Sequence, residues 1–287
     1  MGDLMSKRRP PTQQIPTSVS QALEEALFAF GAQRPDEAER LARYVLASRP
    51  DNVVAAQVLG HTLLQRGRAA EAIDPLQTAA RGSSDPAIET LLARALAAAG
   101  RSDEAIDQLR RTTARRLPFT LAFLELGDQL AAAGRFDEGI AVFEDGLALT
   151  PNAAVLRMGL GYLHLKRNDR ARARSLFMQV RAAEPQRHDA LVALAKVSAL
   201  DGEYAAAADL YQRALELRPD DPVTRIELGK CLLEMGAREA GVASLRAATR
   251  SDAHVTGLAI TALATASHGR FFLRPSAATA FLSADAN

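Results

Sequence analysis

The chain has no tryptophan, a single cysteine and few aromatic residues of any kind, 5% of 287. One thiol, Cys231, excludes an intrachain disulfide and a cysteine-based zinc cage. Its setting in ELGKCLLEMG makes it a buried spacer in a helix rather than a reactive group. Long apolar runs are missing as well: no window approaches the roughly 18 uninterrupted apolar residues of a membrane span. The N-terminal stretch MGDLMSKRRPPTQQIPTS lacks the apolar core of a secretory signal. A cytoplasmic protein with no membrane span is expected. MGDLMS fits the acylation pattern at Gly2, with Lys7, Arg8 and Arg9 behind it as a second membrane signal, but Asp3 beside the glycine is unfavourable and the pattern is set aside. An excess of either charge is absent too, since the net charge is +1, and no nucleic-acid partner is expected.

A convergent polar set is also lacking. The histidines His61, His164, His188, His254 and His268 are scattered, with no His-x-x-x-His pair and no carboxylate at ligand spacing. The glycines are accounted for by turns and close helix contacts, not by a phosphate-binding loop. The expectation is therefore no enzyme: no catalytic residue, no metal, no cofactor and no small-molecule substrate.

What is present is a core rich in alanine and leucine, with 48% hydrophobic and 24% charged residues. That composition belongs to a folded chain and suits closely packed helices better than sheets. In GEYAAAADLYQRALELRPDD (202–221), Ala207, Tyr211 and Ala214 share one face of a helix that Pro219 ends. The pattern recurs as Gly139, Phe143, Gly146 and Pro151, as Ala173, Phe177, Val180 and Pro185, and as Ala105, Leu109 and Thr112. The units run 19–52, 53–85, 86–119, 120–153, 154–187, 188–221 and 222–255, and only the second is short, by one residue. First helices carry Leu59-Gly60, Leu126-Gly127, Leu160-Gly161 and Leu228-Gly229; turns follow at Gly67, Gly100, Gly134, Gly202 and Gly236, with Asn168 in the fifth unit.

Across 19–255 this length and small-large-small spacing resembles the tetratricopeptide repeat family, although no tryptophan stands at the fourth position of any unit. The fold expected is all-α, a right-handed superhelical solenoid of helix-turn-helix repeats. One unit cannot bury its apolar face alone, so neighbours must stack. Small residues at the eighth and twentieth positions let two helices approach, and the larger residue at the twenty-fourth fills the gap toward the next unit. Pro75, inside the second helix of the second unit, predicts a kink. Residues 1–18 are expected to be disordered, with Ser18 and Gln21 forming a capping box at the first helix. Residues 256–287 are expected to form a C-terminal capping helix, TGLAITALATAS, and an apolar tail. Gly269 should end that helix, Pro275 start a short new one, and Phe271, Phe272, Leu273 and Phe281 supply anchors. The anchors either complete the cap or form a detachable motif.

The resemblance implies that first helices line a concave face through their second, fifth, ninth and twelfth positions. The ninth positions read Leu27, His61, Arg94, Asp128, Tyr162, Lys196 and Lys230; the fifth include Leu124, Met158 and Ile226. His61, Arg94, Leu124, Asp128, Met158, Tyr162, Lys196, Ile226 and Lys230 are thus the candidate groove for a protein or peptide partner with apolar anchors and, near the lysines, negative charge. The resemblance also argues against the chaperone-type carboxylate clamp, because the sixth positions hold no asparagine. The function expected is a non-catalytic interaction scaffold or adaptor. Two alternatives stand beside it: an accessory subunit of a glycosyltransferase or sulfotransferase, and a polyanion or membrane-surface binder using the outer arginines of RRTTARR (110–116) and RNDRARAR (167–174).

Overall fold

A computed structural model describes residues 18–249, 253–272 and 274–283, all in helices, turns or irregular chain, with no strand among them. The chain divides after Gly134 into two compact units. The first holds α1 (Val19–Gly31), α2 (Pro35–Ser48), α3 (Val53–Gln65), α4 (Ala69–Arg81), α5 (Pro86–Ala98), α6 (Ser102–Ala114) and α7 (Thr120–Ala132). The second holds α8 (Phe136–Leu149), α9 (Ala154–Lys166), α10 (Arg170–Ala183), α11 (His188–Leu200), α12 (Tyr204–Leu217), α13 (Pro222–Glu234), α14 (Arg238–Ala248), α15 (Ala253–Thr265) and α16 (Pro275–Ser283). The first helix of every repeat starts on the residue where its sequence unit opens. It is an all-helical repeat solenoid.

Local chemistry explains where these helices start. Ser18 Oγ accepts from the Gln21 amide at 3.1 Å, and Asn52 Oδ1 from the Ala55 amide at 2.8 Å. Asp85 and Asp221 do the same ahead of Pro86 and Pro222, whose missing N–H would have had no helical partner. Pro75 does not divide α4, which runs unbroken from Ala69 to Arg81. The carbonyl that proline leaves without a donor belongs to Glu71, an exposed residue, where water can serve it.

The turns show the repeat most sharply. Gln33, Gly67, Gly100, Gly134, Asn168, Gly202 and Gly236 all have positive φ, between 56° and 82°. Most are spaced by 34 residues, and the one shorter step falls between Gly67 and Gly100, in the short unit. The following amide reaches back to close the helix, as in Arg34 N–H to Ala29 C=O at 2.9 Å and Asp169 N–H to His164 C=O at 2.8 Å. Gln33, at φ 56°, is the costly member of this row, because a straight side chain gains nothing in the left-handed region. Gln33→Gly should therefore raise stability by about 0.5–1 kcal/mol, the relieved strain less the extra entropy of an unfolded glycine. Asn168→Gly should do less, since asparagine tolerates this conformation. Urea denaturation of both variants checks the order.

Within each unit, second helices pack between neighbouring first helices: α2 between α1 and α3, α4 between α3 and α5, α10 between α9 and α11, and α12 between α11 and α13. The twenty-fourth-position residues Leu76, Leu109, Phe143, Phe177, Tyr211 and Leu245 are buried. Several are seated against glycine. A Cβ on Gly60 would lie 2.9 Å from Leu76 Cδ2, and one on Gly229 would lie 2.9 Å from Leu245 Cδ2.

At the C-terminal end, α15 packs against α13 and α14, and α16 packs against α14 and α15. Val242, Leu245, Val255, Ala259, Leu263 and Leu282 belong to one buried cluster, with Phe272 and Phe281 packed on it. Arg246 lies 4.8 Å over the Phe281 ring and donates to its carbonyl at 3.2 Å, while Arg270 lies 5.1 Å from the rings of both Phe272 and Phe281. Two expectations change here. α15 ends at Thr265, four residues before Gly269, whose backbone instead packs beneath the Leu263 carbonyl where no Cβ would fit. Phe271 is 74% exposed rather than seated in this cluster. Leu273, like residues 1–17 expected to be disordered, lies outside the described residues.

Candidate binding surface

In the first unit, three first helices enclose an open cavity of about 530 Å³. α3 contributes His61, Leu64 and Gln65, α5 contributes Arg94, Ala97 and Ala98, and α7 contributes Glu125 and Gln129. The floor is low because α5 has alanines at its twelfth and thirteenth positions, where α3 has leucine and glutamine. Arg94 Nε stands 3.1 Å from Glu125 Oε1 across the cavity. Burial, then the Arg94 charge, pushes the His61 imidazole below its usual range, and its ring lies 5.9 Å from that of Phe30. Burial pushes the Glu125 carboxyl up, against the pull of Arg94 and helped by Asp128. In both groups desolvation is the larger cause, as expected for titratable side chains half-buried in the wall.

The expected groove residues divide into two sets. His61 and Arg94 wall this cavity, Asp128 is exposed on α7 near it, and Leu124 is half-buried. In the second unit Tyr162 is 38% exposed, with its ring 5.2 Å from that of Phe177. Burial and the nearby Asp189 charge push its phenol up. Lys196 is exposed, and Lys230 Nζ stands 3.2 Å from Glu227 Oε2. Met158 and Ile226 are not groove residues. Both are buried: Met158 in the cluster of Ala173, Phe177, Ala190 and Leu194, Ile226 in the one beneath α15. The fifth position sits at the seam between neighbouring helices, as the fully buried Thr90 also shows.

Leu64 and Ala97 stand at the twelfth position, which the resemblance placed on the concave face, whereas Gln65, Ala98, Glu125 and Gln129 line the cavity without having been singled out in the sequence. The twelfth and thirteenth positions follow the ninth by about one turn and share its face. Gln129 carries a readable signal of its own. Five of the other six repeats bury the residue at this tenth position (Thr62, Ala95, Leu163, Val197 and Cys231), the first leaving Phe28 exposed, so an amide there marks a face left open. Among the described residues no three His, Cys, Asp or Glu side chains converge to hold a metal ion, and no helix is long and apolar enough to cross a membrane.

Comparison with known proteins agrees with this architecture. Tetratricopeptide repeat family models match residues 90–154, 158–222 and 199–263, and a model of anaphase-promoting complex, cyclosome, subunit 3 matches 32–112. No curated protein matches significantly in sequence. A tetratricopeptide repeat protein from Parabacteroides merdae is similar in structure, with a TM-score of 0.68 at 14% identity over 86% of this chain and 99% of its own. MamA from Desulfovibrio magneticus reaches 0.51 at 19% identity over 57% of this chain and 92% of its own. The APC/C hetero-tetramer Cut9–Hcn1 includes a chain that reaches 0.57 at 17% identity, covering 93% of this chain and 56% of that one. At these identities the likeness concerns the fold alone.

Proposed function

Because this chain belongs to the tetratricopeptide repeat family, we propose that it is a non-catalytic interaction scaffold or adaptor of the cytoplasm, docking a segment of a partner protein on its layer of first helices. The observation that carries this reading is the cavity walled by His61, Arg94 and Glu125. It joins an apolar floor of Leu64, Ala97 and Ala98 to a few polar groups held on packed helices. Rigid elements with sparse, oriented polar groups suit recognition of a peptide segment.

The outer arginines support the polyanion alternative poorly, because they are engaged. Arg115 pairs with Glu89 and donates to the Ser84 carbonyl at 2.9 Å, and Arg167 pairs with Asp137. Arg170 reaches Asp201 at 3.1 Å, and Arg174 reaches Asp201 at 2.9 Å and Glu203 at 2.8 Å.

Ala98 is exposed, so Ala98→Leu fills the cavity without touching the core. Arg94→Glu reverses its one cation. Both variants should fold as the parent does, and each should lose at least about tenfold of the partner that the parent captures from its native lysate, as expected for a central contact. Quantitative mass spectrometry of the captured proteins reads this. An unchanged set from both variants would remove the first-unit cavity as the docking site.

A further inference from the structure

Basic residues are unevenly divided by type. The chain has 35 lysines and arginines, of which only Lys7, Lys166, Lys196 and Lys230 are lysine. Three of those four lie on consecutive first helices of the second unit, α9, α11 and α13, at the ninth or thirteenth position. The cavity of the first unit shows that these positions share the open face. Arginines elsewhere fork onto carboxylates, as Arg101 does on Glu104 with two bonds of 2.6 Å and Arg135 on Glu138 with two of 2.7 Å. Lysine is a point charge on a flexible apolar stem and does not demand a planar partner.

The carboxylates of these helices do not neutralise the row. α9 has none. On α11, Asp189 is held by Arg187 at 2.7 Å; on α13, Glu234 accepts from Ser267 Oγ at 2.6 Å. Glu227 alone faces a lysine of the row, Lys230. α15 contributes no charged side chain of Asp, Glu, Lys or Arg. The first helices of the first unit are opposite in sign, with Glu24, Glu25, Glu89, Glu125 and Asp128 against Arg94.

Beside the lysines stand exposed apolar groups. Val155 is 37% exposed, Tyr162 38% and Val223 53%. Val223 precedes Lys230 by seven residues on α13, whereas Val155 lies eleven before Lys166 on α9. Seven helical residues rise about 10 Å. An extended chain covers that distance in about three residues.

Resting on the scaffold reading above, we infer that the second unit's first-helix face takes an acidic segment of a partner protein, with carboxylates on Lys166, Lys196 and Lys230 and an aliphatic anchor beside Val223, about three extended residues from the carboxylate on Lys230. Opposite charge supplies orientation and on-rate, and the apolar edge supplies the anchor.

The test uses the full chain and two labelled peptides, one repeating Leu-Ser-Ser-Glu and the other Leu-Ser-Ser-Lys, followed by fluorescence anisotropy. The acidic peptide should bind more tightly than the basic one and lose affinity as salt rises. Replacing Lys166, Lys196 and Lys230 together with glutamine should weaken it at least tenfold. In acetylation footprinting of the parent, the acidic peptide should protect those three lysines while Lys7 serves as the internal reference. Equal binding of both peptides, no binding of the acidic one, or an unweakened glutamine variant each overturns the inference. If that happens while partner capture still depends on Arg94 and Ala98, only the acidic-partner inference falls. If capture is also indifferent to them, the scaffold reading of the first-helix layer falls with it.

Discussion

Gly161→Leu should lower the stability of the second unit by about 3 kcal/mol, at the upper end of what overpacking a closed core costs. Gly161 on α9 faces Phe177 on α10. A Cβ there would lie 2.8 Å from Phe177 Cζ and closer still to Cε1. The ring has nowhere to retreat, because it is fully buried among Ala173, Val180, Ala190 and Leu194, with the Tyr162 ring tilted against it at 5.2 Å. Gly159 repeats the arrangement against Phe143, whose Cε2 would be 2.9 Å from an added Cβ. Even Gly161→Ala should be costly, and pairing it with Phe177→Leu should recover part of the loss by returning ring volume to the site. Circular dichroism through a urea titration measures all three. An unchanged transition for Gly161→Leu would mean that α9 and α10 are not in the register described.

That contact was legible in the sequence because it depends on residue size at fixed spacing, and spacing survives in a repeat whatever the individual side chains do. The turn row was legible for the same reason from Gly67 onward, including Asn168, whose side chain tolerates the left-handed conformation; Gln33 was not, because glutamine carries no turn signal. The open surface was harder to read. Met158 and Ile226 occupy the same repeat position as the half-buried Leu124, yet they are buried, because exposure at a helix seam depends on the neighbouring helix as well as on the position. The cavity escaped for a related reason. It exists because Ala97 and Ala98 are small beside Leu64, Gln65 and Gln129, a difference between repeats that their shared pattern conceals.

The same limit applies to the C-terminal end, where the repeat pattern stops and α15 and α16 are placed by contacts outside it. Deleting residues 270–287 should cost about 2–4 kcal/mol, the scale of removing one large core side chain. Leu282 and Ala278 are buried, and Phe272 and Phe281 cover a cluster that reaches back to Ile226 and Leu233 on α13. Arg246 and Arg270 hold the Phe281 ring from α14 and from the linker, each such contact contributing about 0.5–1 kcal/mol. Gly269→Ala provides the same test without shortening the chain. Its Cβ would stand 2.9 Å from the Leu263 carbonyl carbon and nearer still to the oxygen, and backbone cannot swing aside as a side chain can. That single methyl group should therefore undock the tail nearly as completely as deletion does. Hydrogen exchange should then quicken in α14 and α15 first, since repeats couple only to their neighbours and the loss should fade toward α9. A deletion that leaves exchange and melting untouched but changes the oligomeric state would instead identify α16 as a detachable segment, whose contacts with Arg246 and the Leu282 seat are too weak to act as the cap.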